Sequence, residues 1–173
     1  SDSNYSDGRH PDTVEFSDNI LEDLSRRDFT INAIAYNPIS KEIIDRFGGI
    51  NDLNNKRINA VGDANLRFKE DGLRILRALR FAIRFDYEIS GSTKTAILRN
   101  IDKIDNISKE RITNEFRKIF SYNKPVFNTF REYATIIKKI IPEIEPCIGF
   151  EQNNPYHHHD VYLHMLSVTD LCN

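Results

Sequence analysis

Asp71 and Arg74 stand three positions apart in the run Glu70-Asp71-Gly72-Leu73-Arg74, which reads as the start of a helix. Helix positions i and i+3 are about 60° apart, so a carboxylate and a guanidinium here can project into one space above the first turn. Together they can act as a base-pairing edge made of protein: the carboxylate accepts from an exocyclic amine while the guanidinium donates to a ring nitrogen or carbonyl. Cytosine and adenine present that pattern. Guanine and uracil put a carbonyl where the amine is needed, which leaves the carboxylate facing another acceptor. The same two residues can equally form an ordinary surface ion pair, worth little to stability.

Arg27, Asp28 and Asn32 place a cation, an acceptor and an amide close together, a set suited to holding a phosphate and a ribose hydroxyl, or to capping a helix beside an ion pair. Near the end of the chain, His157, Asp160 and His164 share a helical face, and His159-Asp160 spells the HD pair of metal-dependent phosphohydrolases. Such a site needs a further His upstream and an Asp downstream, so the alternative is a polar helix start. Glu15, alternating with Val14 and Phe16 in a short β-type run, faces either solvent or a metal.

The element that must position the first pair is the helix running through Arg84. Leu79, Ile75, Ala82, Ile83 and Leu76 fall in one apolar arc, and Arg77, Arg80 and Arg84 cluster on the opposite side. One side packs and the other is cationic. Upstream, Leu24 to Ala33 reads as a short polar helix, Ile34-Ala35-Tyr36 as a buried strand and Glu42 to Phe47 as its hairpin partner, closed by Gly48-Gly49. Beyond Asp52-Leu53 the pattern becomes helical and stays so, which puts a domain boundary near Asn59 to Asp63. Ser92 to Ile101 and Ser108 to Phe120 are further helices, each with a serine placed to cap it. In the second, Ile112, Phe116, Ile119 and Phe120 form the buried stripe, with Arg111 and Glu115 as an i,i+4 pair. A last amphipathic helix spans Val126 to Ile141 and stops at Pro142.

With 173 residues and 39% hydrophobic content, the chain can bury a core and is too polar to span a membrane. Its start, Ser1 to His10, has no apolar run to serve as a secretory signal, and two cysteines do not make a disulfide framework, so a cytoplasmic setting is expected. The net charge is −2, but residues 1–55 carry −6, residues 56–118 carry +6 and residues 119–173 carry −2. The middle third is either a solvated charged face or an anion-binding surface, and nucleic acid is the natural partner for clustered Lys and Arg.

In order along the chain, these motifs resemble the class II tRNA nucleotidyltransferases, or CCA-adding enzymes, and the closely similar bacterial poly(A) polymerases. The resemblance runs from about Tyr5 to His164. Asp23-Leu24-Ser25-Arg26-Arg27-Asp28-Phe29-Thr30-Ile31-Asn32-Ala33 is similar to the family's motif B, which binds ribose and triphosphate. Asp45 to Leu53 resembles motif C, the hinge between head and neck. Arg67 to Arg74 resembles motif D, the amino-acid template selecting CTP and ATP, and Arg111-Ile112-Thr113-Asn114-Glu115 resembles motif E, which braces the neck helices.

The resemblance implies an α+β chain: the C-terminal part of a nucleotidyltransferase head (1–62, short antiparallel strands and a helix), an all-helical neck (63–125), and the start of a helical body or an incomplete HD-like domain (126–173). It implies tRNA as partner, with Arg27 on phosphates, Asp28 and Asn32 on the ribose, and Asp71 and Arg74 on the base; Arg77 beside the nucleotide and Arg80 and Arg84 toward phosphate or RNA backbone are candidates on helical periodicity rather than on the motif, with Arg111 a further phosphate or RNA contact. The family's catalytic motif A carries an Asp-x-Asp pair that binds two Mg²⁺ ions. No Asp-x-Asp occurs in this sequence. The chain therefore reads as an internal fragment, inactive alone, whose remaining metal ligand is Glu15. Poly(A) addition, a CC- or A-adding specialist, a non-catalytic RNA-binding module and an HD-type phosphohydrolase are the competing expectations.

Overall fold

The computed structural model describes residues 20–152 and 159–172, together with the backbone of 2–3 and 13–14. Glu15 and His157 lie outside the described residues. The chain is α+β. Antiparallel β1 (Asp2–Ser3) and β2 (Thr13–Val14) lead to α1 (Ile20–Ser25), a 3-10 turn (Thr30–Asn32) and the hairpin β3 (Ala35–Tyr36) and β4 (Ile43–Ile44), in which Ala35 faces Ile44 and Tyr36 faces Ile43. Next come α2 (Gly49–Asn54), β5 (Arg57–Ile58), α3 (Ala64–Glu70), α4 (Leu73–Phe85), β6 (Glu88–Ile89), α5 (Gly91–Arg99) and α6 (Lys109–Phe120). Helices α7 (Phe127–Glu132), α8 (Ala134–Ile140) and α9 (Val161–Cys172), with 3-10 helices at Ile101–Asn106 and Pro142–Cys147, complete the described elements.

Two apolar clusters hold these together. Leu24, Ala33 and Val61 form a small one beneath the hairpin. The larger one is built on α4: Ile75, Leu76, Leu79, Ala82 and Ile83 are buried, as the apolar arc requires, and they meet Phe68, Ile97, Ile119 and Ile136 from α3, α5, α6 and α8. Phe29 joins this larger cluster edge-to-face with Phe81, at 5.7 Å between ring centroids. The motif around Arg27 and Asp28 is thereby fastened to α4.

The hairpin strand is not buried as expected: Tyr36 is 60% exposed, because the small cluster covers one side of a two-stranded sheet and little more. Gly48-Gly49 does not close that hairpin but begins α2. Gly48 takes a left-handed φ of 75°, and Asp45 accepts from the amides of Gly49 (2.7 Å) and Ile50 (2.9 Å). Strands also persist beyond residue 55, since β5 and β6 pair in parallel across α3 and α4. Ser90, not Ser92, caps α5, and the helix expected from Val126 to Ile141 breaks at Tyr133. In α6 the buried side chains are Ile119 and Glu115, while Phe120 lies at the exposed edge of the stripe. Asp160 caps α9, taking Leu163 and Gly149 amides at 2.7 Å each, and Asp170 near the other end of α9 accepts from the amides of Val126 and Phe127 at the start of α7.

Candidate functional site

Where α4 passes between the Arg27–Asn32 segment and α6, it borders an open cavity of about 590 Å³. Arg27, Asp28, Asn32, Asp71, Arg74, Arg77, Arg80, Arg84 and Arg111 all line it, with Leu73 and Phe81 as the apolar floor. Six arginines and two aspartates line it, so cations outnumber acids at its wall.

Asp28 is 8% exposed and organises one wall. Its Oδ1 accepts from the Phe29 amide (2.9 Å) and Asn32 Nδ2 (3.0 Å), and its Oδ2 from Arg77 Nε (2.7 Å) and Nη2 (2.6 Å). A buried carboxylate needs such partners. It presets Asn32 and Arg77, while the remaining Nδ2 hydrogen and the Oδ1 of Asn32 are available to a ligand. Arg27 sits at the rim, paired with Asp23 at 2.7 Å, and its hydrogen bond holds the Asp23 carboxyl below the ordinary carboxylate value.

Asp71 and Arg74 are not one helix's i,i+3 pair. Asp71 is the C-cap of α3, Gly72 precedes α4, and Arg74 lies in the first turn of α4. Neither has the other as its ionic partner. Asp71 accepts from the Leu73 amide (3.0 Å) and from Arg111 Nη2 of α6 (2.7 Å). Arg74 donates to Glu70 (2.6 Å) and to the carbonyls of Arg67 (3.0 Å) and Arg26 (3.2 Å). Those three bonds use both Nη1 hydrogens and one on Nη2, leaving Nε–H and one Nη2–H to donate. A carboxylate offers roughly four acceptor sites, so Asp71 likewise keeps acceptor capacity.

The cationic side of α4 is not uniformly open. Arg80 is 5% exposed, since α6 packs against this side and supplies Glu115, itself 2% exposed. Arg80 Nε donates to Glu115 at 2.6 Å and its Nη1 to the Tyr122 hydroxyl at 3.0 Å. Lys118 holds the second Glu115 oxygen at 2.8 Å. Burial by itself raises the Glu115 carboxyl, but the Lys118 and Arg80 hydrogen bonds and charges outweigh it and keep the pKa below the ordinary value. The expected Arg111–Glu115 pairing thus gives way to two crossings between helices, Glu115 to Arg80 and Arg111 to Asp71. Arg84 is exposed at the last turn of α4.

Reading by motif passed over Glu70, Tyr122 and Arg26. Glu70 was legible as an i,i+4 neighbour of Arg74; Tyr122 carried no local signal. Arg26 has Nε and Nη2 buried without a hydrogen-bond partner among the described residues. Metal ligands are a poor fit here: among the described residues no group of three or more His, Cys, Asp or Glu is arranged around one point, and both cavity acids are turned toward arginines. At the C-terminal end, both Asp160 oxygens are engaged by backbone amides and His159 packs on the Phe127 ring, so no metal cluster forms there either among the described residues.

Two family models match the chain: the poly A polymerase head domain over residues 1–59, and the probable RNA and SrmB-binding site of polymerase A over residues 86–148. The CCA-adding enzyme of Leuconostoc citreum is 49% identical over 118 residues, 68% of this chain and 29% of that enzyme. The chain belongs to the tRNA nucleotidyltransferase and bacterial poly(A) polymerase family. It spans about 30% of the length of such nucleotidyltransferases. Among solved structures, the Bacillus stearothermophilus CCA-adding enzyme in complex with CTP superposes with a TM-score of 0.62 at 38% identity, over 68% of this chain and 30% of that one. The Thermotoga maritima CCA-adding enzyme complexed with tRNA gives 0.65 at 36% identity, over 72% and 31%. A CCA-adding enzyme with ATP gives 0.64 at 36% identity, over 72% and 30%. No described helix of this chain is long and apolar enough to cross a membrane.

Proposed function

We propose that this chain is the nucleotide-holding and base-selecting part of a cytoplasmic enzyme that adds C, C and A to tRNA 3′ ends from CTP and ATP. The observation that carries the reading is the convergence of Asp71 and Arg74 on one cavity with Arg27, Asn32 and Arg77, each of the first two retaining hydrogen-bonding capacity. Residues 1–62 serve as the C-terminal part of the head, 63–125 as the neck and 126–173 as part of the body or of an HD-like domain.

In this reading Asp71 accepts from the exocyclic amine of cytosine or adenine and Arg74 donates beside it. Glu70 and the Arg67 and Arg26 carbonyls hold the guanidinium in one orientation, so little ordering is left for the nucleotide to impose. Asn32 offers its amide to the ribose, and Arg27 and Arg77 draw the triphosphate. Asp28 acts through Asn32 and Arg77. Mg²⁺ would be held by carboxylates such as Glu15 rather than by Asp28 or Asp71, and would supply charge neutralisation at the reacting phosphate.

Titration of the 173-residue chain with each nucleoside triphosphate tests the reading. CTP and ATP should bind at least tenfold more tightly than UTP and GTP, whereas equal affinities reduce the chain to an RNA-binding module. A chimera of the Leuconostoc citreum enzyme carrying this chain in place of its matching segment should add C, C, A. Products of adenine alone or of C, C alone identify a poly(A) polymerase or a partial specialist.

A further inference from the structure

Arg27, Arg74, Arg77, Arg80 and Arg111 each pair with a carboxylate, at distances of 2.6 to 2.7 Å. Arg84, the sixth cavity arginine, has no ionic partner among the described residues. Instead its guanidinium carbon lies 5.1 Å from the Phe85 ring centroid and 5.2 Å from that of Tyr122. Two aromatic rings restrain the long side chain while leaving its N–H edge unneutralised.

Tyr122 is itself fixed. Its hydroxyl receives Arg80 Nη1 at 3.0 Å, Arg80 is held by Glu115 at 2.6 Å, and Glu115 is held by Lys118 at 2.8 Å. An ordered series, Glu115 to Arg80 to Tyr122 to Arg84, therefore runs from the buried α4–α6 interface to the cavity rim. A surface arginine with that support is preorganised for an anion.

We infer that Arg84 binds a backbone phosphate of the single-stranded RNA 3′ end, and that Tyr122 is the positioning residue that holds it there. The inference rests on the functional reading above. Two observations favour RNA over the nucleotide's own triphosphate. Arg84 lies ten residues beyond Arg74 on one helix, about 15 Å along the axis from the base-reading end and about 10 Å past Arg77, which shares Asp28 with the Arg27 to Asn32 wall. The probable RNA-binding family region begins at residue 86, beside Arg84, and contains Tyr122.

The test is fluorescence anisotropy of a 5′-labelled RNA hairpin with an unpaired 3′ tail, titrated with the 173-residue chain over a range of salt, alongside CTP binding to the same preparations. Arg84→Ala should weaken RNA binding by about three- to tenfold and lower the salt slope by about one, leaving CTP affinity in place. Tyr122→Leu should produce a similar loss in the wild-type background and little further loss in Arg84→Ala, while Tyr122→Phe, which keeps the ring, stays close to wild type. Arg84→Lys should restore the salt slope without full affinity, and it decides the matter alongside Arg84→Ala should Tyr122→Leu not fold. Loss of CTP affinity rather than RNA affinity in Arg84→Ala assigns the anion to the nucleotide and overturns the inference. Unchanged RNA binding in every variant overturns it too, leaving the functional reading intact. If the wild-type chain binds no RNA, the functional reading falls and takes the inference with it.

Discussion

Arg111 of α6 reaches back forty residues to hold Asp71 at 2.7 Å, so the carboxylate proposed to read the base is set by a helix outside its own motif. The Leu73 amide fixes the other oxygen. With one restraint from the backbone and one from α6, the carboxylate has a defined aim.

Removing the α6 restraint should loosen base choice before it loosens nucleotide grip. Arg111→Met is expected to lower the CTP-over-UTP affinity ratio about three- to tenfold, with total CTP affinity falling less, since Arg27 and Arg77 are untouched. Both partners are about one-third exposed, so the effect on melting should be small, about 1 kcal/mol or less. A ratio equal to wild type means Asp71 is aimed without Arg111.

Glu115 and Arg80 form the buried counterpart, and here stability should respond. Truncating one partner of a buried pair leaves the other charge uncompensated and typically costs about 3 to 5 kcal/mol, so Glu115→Ala should unfold at markedly lower urea than wild type. The pH dependence has a definite sign. The folded-state carboxyl sits below its ordinary 4.5, so its contribution is complete above that value and is lost as the pH falls through the folded-state pKa. Glu115→Gln, which cannot titrate, should show a shallower acid limb than wild type in melting scans below about pH 4.5. Parallel curves would mean that the pair contributes no linkage.

The adjacent glycines Gly48 and Gly49 make opposite demands. Gly48 has a left-handed φ of 75° and open space around its missing Cβ, so Gly48→Ala should cost about 1 to 2 kcal/mol of strain. At Gly49 a Cβ would fall 2.2 Å from the Thr30 carbonyl oxygen and 2.8 Å from an Ile34 side-chain carbon. Gly49→Ala must move the turn that carries Asn32. It should therefore weaken CTP binding as well as lower the melting temperature, whereas Gly48→Ala should lower the melting temperature alone. Calorimetric titration of the two variants with CTP separates these outcomes.

The apolar arc of α4 was readable because five residues, from Ile75 to Ile83, repeat at helical spacing within the helix, and all of them are buried. The arginines opposite were readable as a set but not in their individual fates. Periodicity places Arg80 beside Arg77 and Arg84; only the arrival of α6 with Glu115 determines that it is buried. The same limit explains Asp71, whose partner is forty residues away, and Tyr122, whose place follows from Arg80. Two-residue strands such as β5 and β6 are too short to alternate, so their parallel pairing left no pattern to find. Ser90 and Ser92 are both competent caps by residue type, and it is the Ser90 hydroxyl that accepts from the Thr93 amide.

In the proposed reading, base selection is decided at Asp71 and Arg74. Asp71→Ala removes the acceptor for the exocyclic amine and leaves Arg27 and Arg77 in place to hold the triphosphate. Losing one charge-assisted hydrogen bond in a partly desolvated site costs about 1.5 to 3 kcal/mol, so CTP should lose about tenfold to hundredfold of its advantage over UTP. Arg74→Ala should act more broadly, because that guanidinium also ties the Arg67 and Arg26 carbonyls together; weaker binding of all four nucleotides is expected along with the lost preference. Arg74→Lys, which keeps a charge but not the fork, should recover general affinity more than preference. If Asp71 served only as a partner for Arg111 at the surface, its replacement would shift binding by less than about 1 kcal/mol and leave the C-over-U ratio as it was. Competition titrations of CTP against UTP on the three variants measure that ratio directly, and an unchanged value in both alanine variants would reject the template assignment.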